Sequence, residues 1–310
     1  WVQLPLGLWA ASMPWLVAFG LRNLSQVAIR LAAIATAATP ILYTTNFTEN
    51  GWADLTNAGT SSSMMLGGGS DLAVMCMLTL SAALFLRATS SNCKRLAICA
   101  GVALAATAAM KNEGLALLMV CMIACVATLI FKGRPMRTIG FFAASTIICV
   151  APWLGIRAQI PAIDENYSEQ LTIENVMHFA GGANELVEKS PLAMSGRPQM
   201  DESSIPTRRS LVAAAFVDEF FDMRSWGLLW VLALISVGLV VKNLDSFNYR
   251  WLTLVIVGGV LLYFLILLVT PWNFPSLRDK GIPERLLVHL VGPIMLLLGH
   301  ALSSIKAEDC

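Results

Sequence analysis

Charge is what this sequence has least of. Only 13% of its 310 residues are Asp, Glu, Lys or Arg, 56% are hydrophobic, and the mean hydropathy is +0.68. A soluble domain carries roughly 25% charged and about 45–50% apolar residues, so an ordinary water-soluble globule is excluded and a polytopic membrane protein is left. The net charge of +1 supplies neither the basic excess that a nucleic-acid partner requires nor an acidic surface. The seven cysteines match no zinc or disulfide spacing, and five of them fall inside apolar runs, where they read as small packing residues. No ligand motif for a metal, no internal repeat and no low-complexity tract is present. No basic n-region or cleavage site precedes the first apolar run, so no signal peptide is read, and a chain that begins at Trp1 is expected to be a piece whose start lies upstream.

What the chain has in abundance is apolar runs near the length that crosses a bilayer, about 20 residues at ~1.5 Å rise each. About nine are expected: 4–21, 24–43, 71–86, 96–110, 114–131, 138–154, 226–241, 251–270 and 286–302. The third and fourth are short, so each is expected to extend by a turn into its polar flanks. The fold class is therefore all-α, a polytopic transmembrane bundle. Residues 1–156 hold six helices, with an acidic outer loop at 44–70. Residues 157–225 form an extracytoplasmic segment of short interfacial helices, and 226–310 hold three more spans.

Orientation follows from the basic residues of the short loops. Arg22, then Arg87, Lys94 and Arg95, then Lys132, Arg134 and Arg137, then Lys242 and Arg250, then Lys306 fall on alternate loops and hence on one side, the cytoplasmic one. The loop 44–70 has no Lys or Arg but holds Glu49 and Asp54. The charged residues that offer chemistry lie on the opposite, extracytoplasmic face, periplasmic or lumenal. In the long outer segment, 169–179 and 210–221 read as short helices. The second sets Val212, Phe216, Val217, Phe220 and Phe221 on one side against Asp218, Glu219 and Asp222 on the other. Such a helix lies in the headgroup plane or packs on top of the bundle.

Four groups carry candidate chemistry. Glu49, Asp54 and Asp71 are outer carboxylates able to serve as a general base. Asp71 follows Ser70 at the head of an apolar run, where a carboxylate also complements a helix dipole. Lys111-Asn-Glu113-Gly114 is a turn between two spans, read either as a snorkelling ion pair or as a cation for a lipid phosphate with Glu113 in support. Arg278, Lys280 and Arg285 place three cations within eight positions, which suits a phosphate oxygen cluster or, alternatively, lipid headgroups. His289 stands four residues after Arg285, hence on the same helix face, and is read as a supporting residue or as an interior histidine. His178 and His300 receive no role.

The residues Gly68-Gly-Ser-Asp71-Leu-Ala before an apolar run, and Met110-Lys111-Asn-Glu-Gly-Leu115 after a stretch of small residues, resemble the Gly-Tyr-Ala-Asp-Leu-Pro and Thr-Lys-Asn-Glu-Gly pattern of GT-C membrane glycosyltransferases. These are relatives of the dolichyl-phosphate-mannose protein mannosyltransferases and the aminoarabinose lipid A transferases. Ala151-Pro-Trp153 and Glu284-Arg-Leu-Leu-Val-His289-Leu-Val-Gly-Pro293 are similar to later spans of that family. Gly51-Trp-Ala-Asp54-Leu offers a second register for the Ala-Asp-Leu element, and Asp71 is preferred because a full span follows it directly.

The resemblance implies a polyprenyl-phosphate sugar donor and a lipid, glycan or protein acceptor. It also implies a divalent-metal requirement that differs between members, so the cofactor is unassigned. In that family an acidic residue of the first outer loop is the catalytic base, and that loop precedes the first span visible here. This leaves two places for the base: ahead of Trp1, or among Asp71, Asp54 and Glu49. The expected activity is glycosyl transfer at the extracytoplasmic face. A polytopic transporter and a non-catalytic membrane assembly protein are the alternatives. A transporter sets ionisable groups mid-span, an assembly protein scatters charges around its perimeter, and an enzyme gathers them at one place.

Overall fold

The computed structural model describes residues 3–39, 71–129, 135–159, 173, 177, 208–241, 246–269 and 281–308. All regular structure among them is helical. In chain order the helices are α1 (Gln3–Gly20), α2 (Gln26–Ala37), α3 (Asp71–Ser91), α4 (Lys94–Met110), α5 (Asn112–Thr128), α6 (Met136–Arg157), α7 (Arg208–Phe221), α8 (Met223–Trp226), α9 (Leu229–Val241), α10 (Phe247–Val269), α11 (Gly281–Leu287) and α12 (Val291–Glu308), the last two joined by a 3₁₀ turn at Val288–Leu290. In its described part each expected apolar run is largely helical, 226–241 being divided between α8 and α9 and 286–302 between α11, the 3₁₀ turn and α12, and α3 extends past Leu86, to Ser91.

Four helical stretches are long and apolar enough to cross a membrane: Asp71–Ser91, Met136–Arg157, Phe247–Val269 and Pro283–Ser303. Shorter apolar helices run over Leu8–Gly20, Gln26–Ala37, Asn112–Thr128 and Leu229–Leu239. The set fits an integral membrane protein. Exposed apolar stripes agree, such as Met119, Ile123 and Val126 on α5 and Ile147 and Ile148 on α6, because lipid carries no penalty for surface that water would reject.

The core is built around the last span. Of Pro283–Ser303, 89% is buried against 22% of Met136–Arg157, so the former is the central post and the latter a peripheral helix. A helix apolar on every side has no face for water, and this one is surrounded by α2, α3, α9 and α10. Between helices that lack a hydrophobic drive toward each other, close approach of backbones replaces it. Gly101 on α4 illustrates this: a Cβ there would strike Ser145 Oγ and the Phe142 carbonyl of α6. Ala97, Ala100 and Ala108 extend the same small-residue helix, all buried. A hydrogen bond from Ser81 Oγ to the Ala100 carbonyl, 2.9 Å, ties α3 to α4. Phe85 fills the deeper layer, its ring 4.2 Å from that of Phe142 and 4.8 Å from that of Trp251.

Two turns bring the chemistry to one end. Asn92 has φ 49°, the left-handed conformation that short polar side chains tolerate after a helix, and its Oδ1 accepts from Thr138 Oγ1 at 3.2 Å. It reverses α3 into α4. Asp71 stands 21 residues before Asn92 and Lys111 19 after it, so at ~1.5 Å per residue the two return to nearly the same height. The second reversal, at Lys111, is so tight that a Cβ on Gly114 would collide with the Thr107 carbonyl.

Helix α7 takes one of the two placements expected for it, and only the composition of its buried face departs from expectation. It packs on the bundle: Val212 and Phe216 are buried, Phe216 lies 5.7 Å from Phe264 of α10, and Phe220 lies 4.6 Å from Trp230 of α9. Val217 and Phe221, expected on the same side, are 52% and 77% exposed, while Glu219, expected on the polar side, is buried and accepts from Trp226 Nε1 at 2.9 Å. At 100° per residue Glu219 stands only about 20° from Val212 and Phe221 about 180° from it, and the indole N–H makes burial of the carboxylate affordable. Of the other expected interfacial helix, 169–179, only residues 173 and 177 are described, both helical.

Replacing Gly114 by Ala should cost about 1–3 kcal/mol, because the obstacle is backbone rather than a flexible side chain. Thermal unfolding in detergent micelles checks this; an unchanged midpoint would show that α4 and α5 do not meet so closely.

Candidate functional site

Asp71 is the first residue of α3, Lys111 caps the start of α5, Arg285 sits on α11, and His289 on the 3₁₀ turn that follows. These positions are far apart in sequence, yet the four side chains meet. Lys111 Nζ donates to Asp71 Oδ1 at 2.6 Å, Arg285 Nε donates to Asp71 Oδ2 at 2.9 Å, and His289 Nε2 is 3.2 Å from Oδ1. Lys111 Nζ also lies 3.3 Å from Glu113 Oε1. Tyr263 Oη, from α10, is 2.7 Å from His289 Nδ1.

The protonation pattern follows from what each group can do. A carboxylate only accepts, so the hydrogen facing Asp71 is on His289 Nε2, and Tyr263 serves Nδ1. Taking a carboxylate out of water costs several kcal/mol, offset here by two cations and an imidazole N–H on its two oxygens. Burial is graded: His289 is 0% exposed, the side chains of Asp71 and Glu113 are 7% and 8% exposed, Lys111 19% and Arg285 30%. The cluster therefore has an acidic floor and a cationic mouth. Among the described residues Arg285 uses only Nε, which leaves both Nη groups of its fork as free donors, and Lys111 keeps a third N–H.

A cation already occupies the space a metal would need, because Asp71 and Glu113 share Lys111 between them. Among the described residues no group of three His, Cys, Asp or Glu side chains comes together as a metal set, and this donor set does not fit a divalent ion.

Of the candidates read from the sequence, Asp71, Lys111, Glu113, Arg285 and His289 are brought together. Glu49, Asp54, Arg278 and Lys280 lie outside the described residues. Tyr263 was missed. The only available signal was a hydroxyl in the otherwise apolar run Leu261-Leu-Tyr-Phe-Leu, a group that seeks a partner when buried. Compared with family models, with curated proteins and with solved structures, the chain matches none.

Asp71→Asn should lower unfolding free energy by about 3 kcal/mol, since it removes the shared counter-charge of two cations. Glu113→Gln, which touches one cation at longer range, should cost about 1 kcal/mol or less. Denaturant titration of both variants in micelles checks the order; equal costs would show that Asp71 is not the hub.

Proposed function

We propose that this chain is a membrane glycosyltransferase of the GT-C class, moving a sugar from a polyprenyl-phosphate donor to an extracytoplasmic acceptor. The observation that carries the proposal is the meeting of Asp71, Lys111 and Arg285, drawn from three distant stretches, at one end of an apolar bundle. A lipid-linked phosphate brings its charge to that level of a membrane protein and its chain into the bilayer alongside. The Nη fork of Arg285 matches two phosphate oxygens, and Lys111 adds a point charge. Nine passes, with the cluster on the face opposite the basic loops, complete the picture.

In the reaction, an acceptor hydroxyl or amine attacks the anomeric carbon, the bond from that carbon to the phosphate oxygen breaks, and the acceptor's proton passes to a base. The departing phosphate gains a negative charge, which Lys111 and Arg285 stabilise where it develops. Asp71, with both oxygens engaged by donors, suits the role of holding the cations in place better than that of base. The proton-accepting carboxylate is then Asp54 or Glu49, or the one expected ahead of Trp1.

Transport is the second reading. It rests on His289 and Tyr263, which are wholly buried within two spans, as polar groups on an ion path would be. The gathering of charge at helix ends, outside mid-span, favours the transferase, and it speaks against a merely structural protein with charges spread round its rim.

Lys111→Met or Arg285→Met in the full chain should reduce glycosyl transfer from a polyprenyl-phosphate sugar by about 100-fold or more. Radiolabel transfer in proteoliposomes measures it. Unaltered turnover in both variants removes the proposal, and substrate uptake into the same vesicles without transfer would replace it with transport.

A further inference from the structure

At the end of the bundle away from Asp71, α4 and α6 begin side by side. Thr138 Oγ1 of α6 donates to Asn92 Oδ1, just ahead of α4, at 3.2 Å. Further along α4, a Cβ on Gly101 would strike Ser145 Oγ, the Phe142 carbonyl and the Thr146 amide of α6. Contacts at two heights make the helices parallel and put Lys94 and Arg95 level with Arg137 to within about one turn. All three cations are exposed. None forms an ion pair among the described residues, and no Asp or Glu occurs at 72–112 or 114–163 to supply one from these helices. Each helix also opens without a side-chain cap and with no acid in its first turn, so the partial positive charge of two helix starts adds to that of the side chains.

What lies beneath the cations is apolar. Seen from the start of α4, Arg95, Ile98 and Val102 stand about 120°, 60° and 100° clockwise of Gly101; seen from the start of α6, Arg137 and Phe141 stand about 140° and 100° anticlockwise of Phe142. For two parallel helices in contact these are the same side. Ile98 and Val102 are exposed, and Arg137 Cζ lies 5.9 Å from the centre of the Phe141 ring, a contact that keeps the guanidinium near the first turns of the helices. The two helices therefore frame an apolar groove with cations across its head.

We propose that this surface binds an anionic phospholipid, with the phosphate engaged by Lys94, Arg95 and Arg137 and the acyl chains laid along Ile98, Val102 and Phe141. Charge complementarity selects that occupant. A soluble anion leaves the apolar wall unused, a zwitterionic lipid brings its own cation to a place that already holds three, and a second copy of the chain docked on the same face sets like charge against like. The anion meets two helix starts and three donors at once, and its chains cover apolar surface that water would reject.

Native mass spectrometry of the full chain, released from micelles titrated with phosphatidylglycerol or with phosphatidylcholine of the same acyl chains, tests this. A cation close to an anionic headgroup contributes about fivefold in affinity, so the wild type should hold phosphatidylglycerol at least about 25-fold more tightly than phosphatidylcholine. Arg95→Gln combined with Arg137→Gln should reduce that preference to about fivefold or less. Arg22→Gln combined with Arg30→Gln removes the same charge from other exposed positions and should leave the preference intact. Equal retention of the two lipids by the wild type overturns the proposal, as does a preference that the two double variants lose alike or keep alike. Competition by glycerophosphoglycerol, the headgroup without its chains, at the affinity of the lipid itself would assign the site to soluble phosphate esters and also overturns it. A dimer that carries no phospholipid gives the face to a second copy, with the same result. Glycosyl transfer enters none of these readouts, so either reading can fail while the other stands.

Discussion

Two cations held side by side at the edge of a low-dielectric bundle repel one another, and the carboxylate of Asp71 is what allows them to stay. It reaches both, one on each oxygen, and takes a third donor from His289. The arrangement of the surrounding helices serves that one acceptor. The α3–α4 hairpin returns Lys111 to the height of Asp71, and α11 delivers Arg285 beside it, where the central span begins. Each placement depends on a close backbone passage: Gly101 against α6 steadies the hairpin, and Gly114 against the Thr107 carbonyl permits the reversal that exposes Lys111. Bulk at either point would part the helices and with them the charges.

The central span has a double task. Its lower part is a core element, with residues from Leu290 to Leu298 almost all fully buried, and such a helix tolerates polar groups only where partners are supplied. At its upper end it carries Arg285 and His289 into contact with α3 and α10. The change from α-helix to a 3₁₀ turn at Val288–Leu290 falls at His289, between the cation that reaches the surface and the packed body of the helix. The polar chain Tyr263, His289, Asp71, Arg285 thus runs from a wholly buried hydroxyl to a guanidinium that is 30% exposed, a continuous path of hydrogen bonds through an otherwise apolar end of the bundle.

Much of this was legible because charge is so scarce. In a chain where only 13% of residues are charged, an acid heading an apolar run and a Lys-Asn-Glu-Gly turn between two runs stand out, and the length of the runs alone places them at one end. Hairpin arithmetic brought Asp71 to Lys111; nothing in the spacing required Arg285, more than 200 residues on, to join the same carboxylate. Tyr263 illustrates the limit. A tyrosine in an apolar run has no periodicity to mark it, and its role is set by which helix lies opposite, a property of tertiary packing. The face of α7 was misassigned for a related reason: Glu219 falls on the buried side by angle, and only the Trp226 indole, brought round by α8, makes that tenable.

The balance of charge within the cluster bears on how tightly it can hold an anion. A site with unopposed cations would bind phosphate strongly, but the protein would have to fold against their repulsion, and a reaction whose product carries more phosphate charge than its substrate would then be slowed by product release. A neutral cluster avoids both. Asp71 and Glu113 keep Lys111 and Arg285 partly satisfied, so on the proposed reading the gain on binding phosphate would be the difference between carboxylate and phosphate as partners, a smaller quantity than the full attraction. Preorganisation is retained, since neither cation has far to move. Weakened ground-state attraction combined with donors already in place is the condition under which a site favours charge that develops during reaction over charge present at the start. On the proposed reading that condition requires a carboxylate held in place whether or not its cations engage phosphate, and the His289 contact with Asp71 and the Tyr263 hydroxyl behind it supply such a hold.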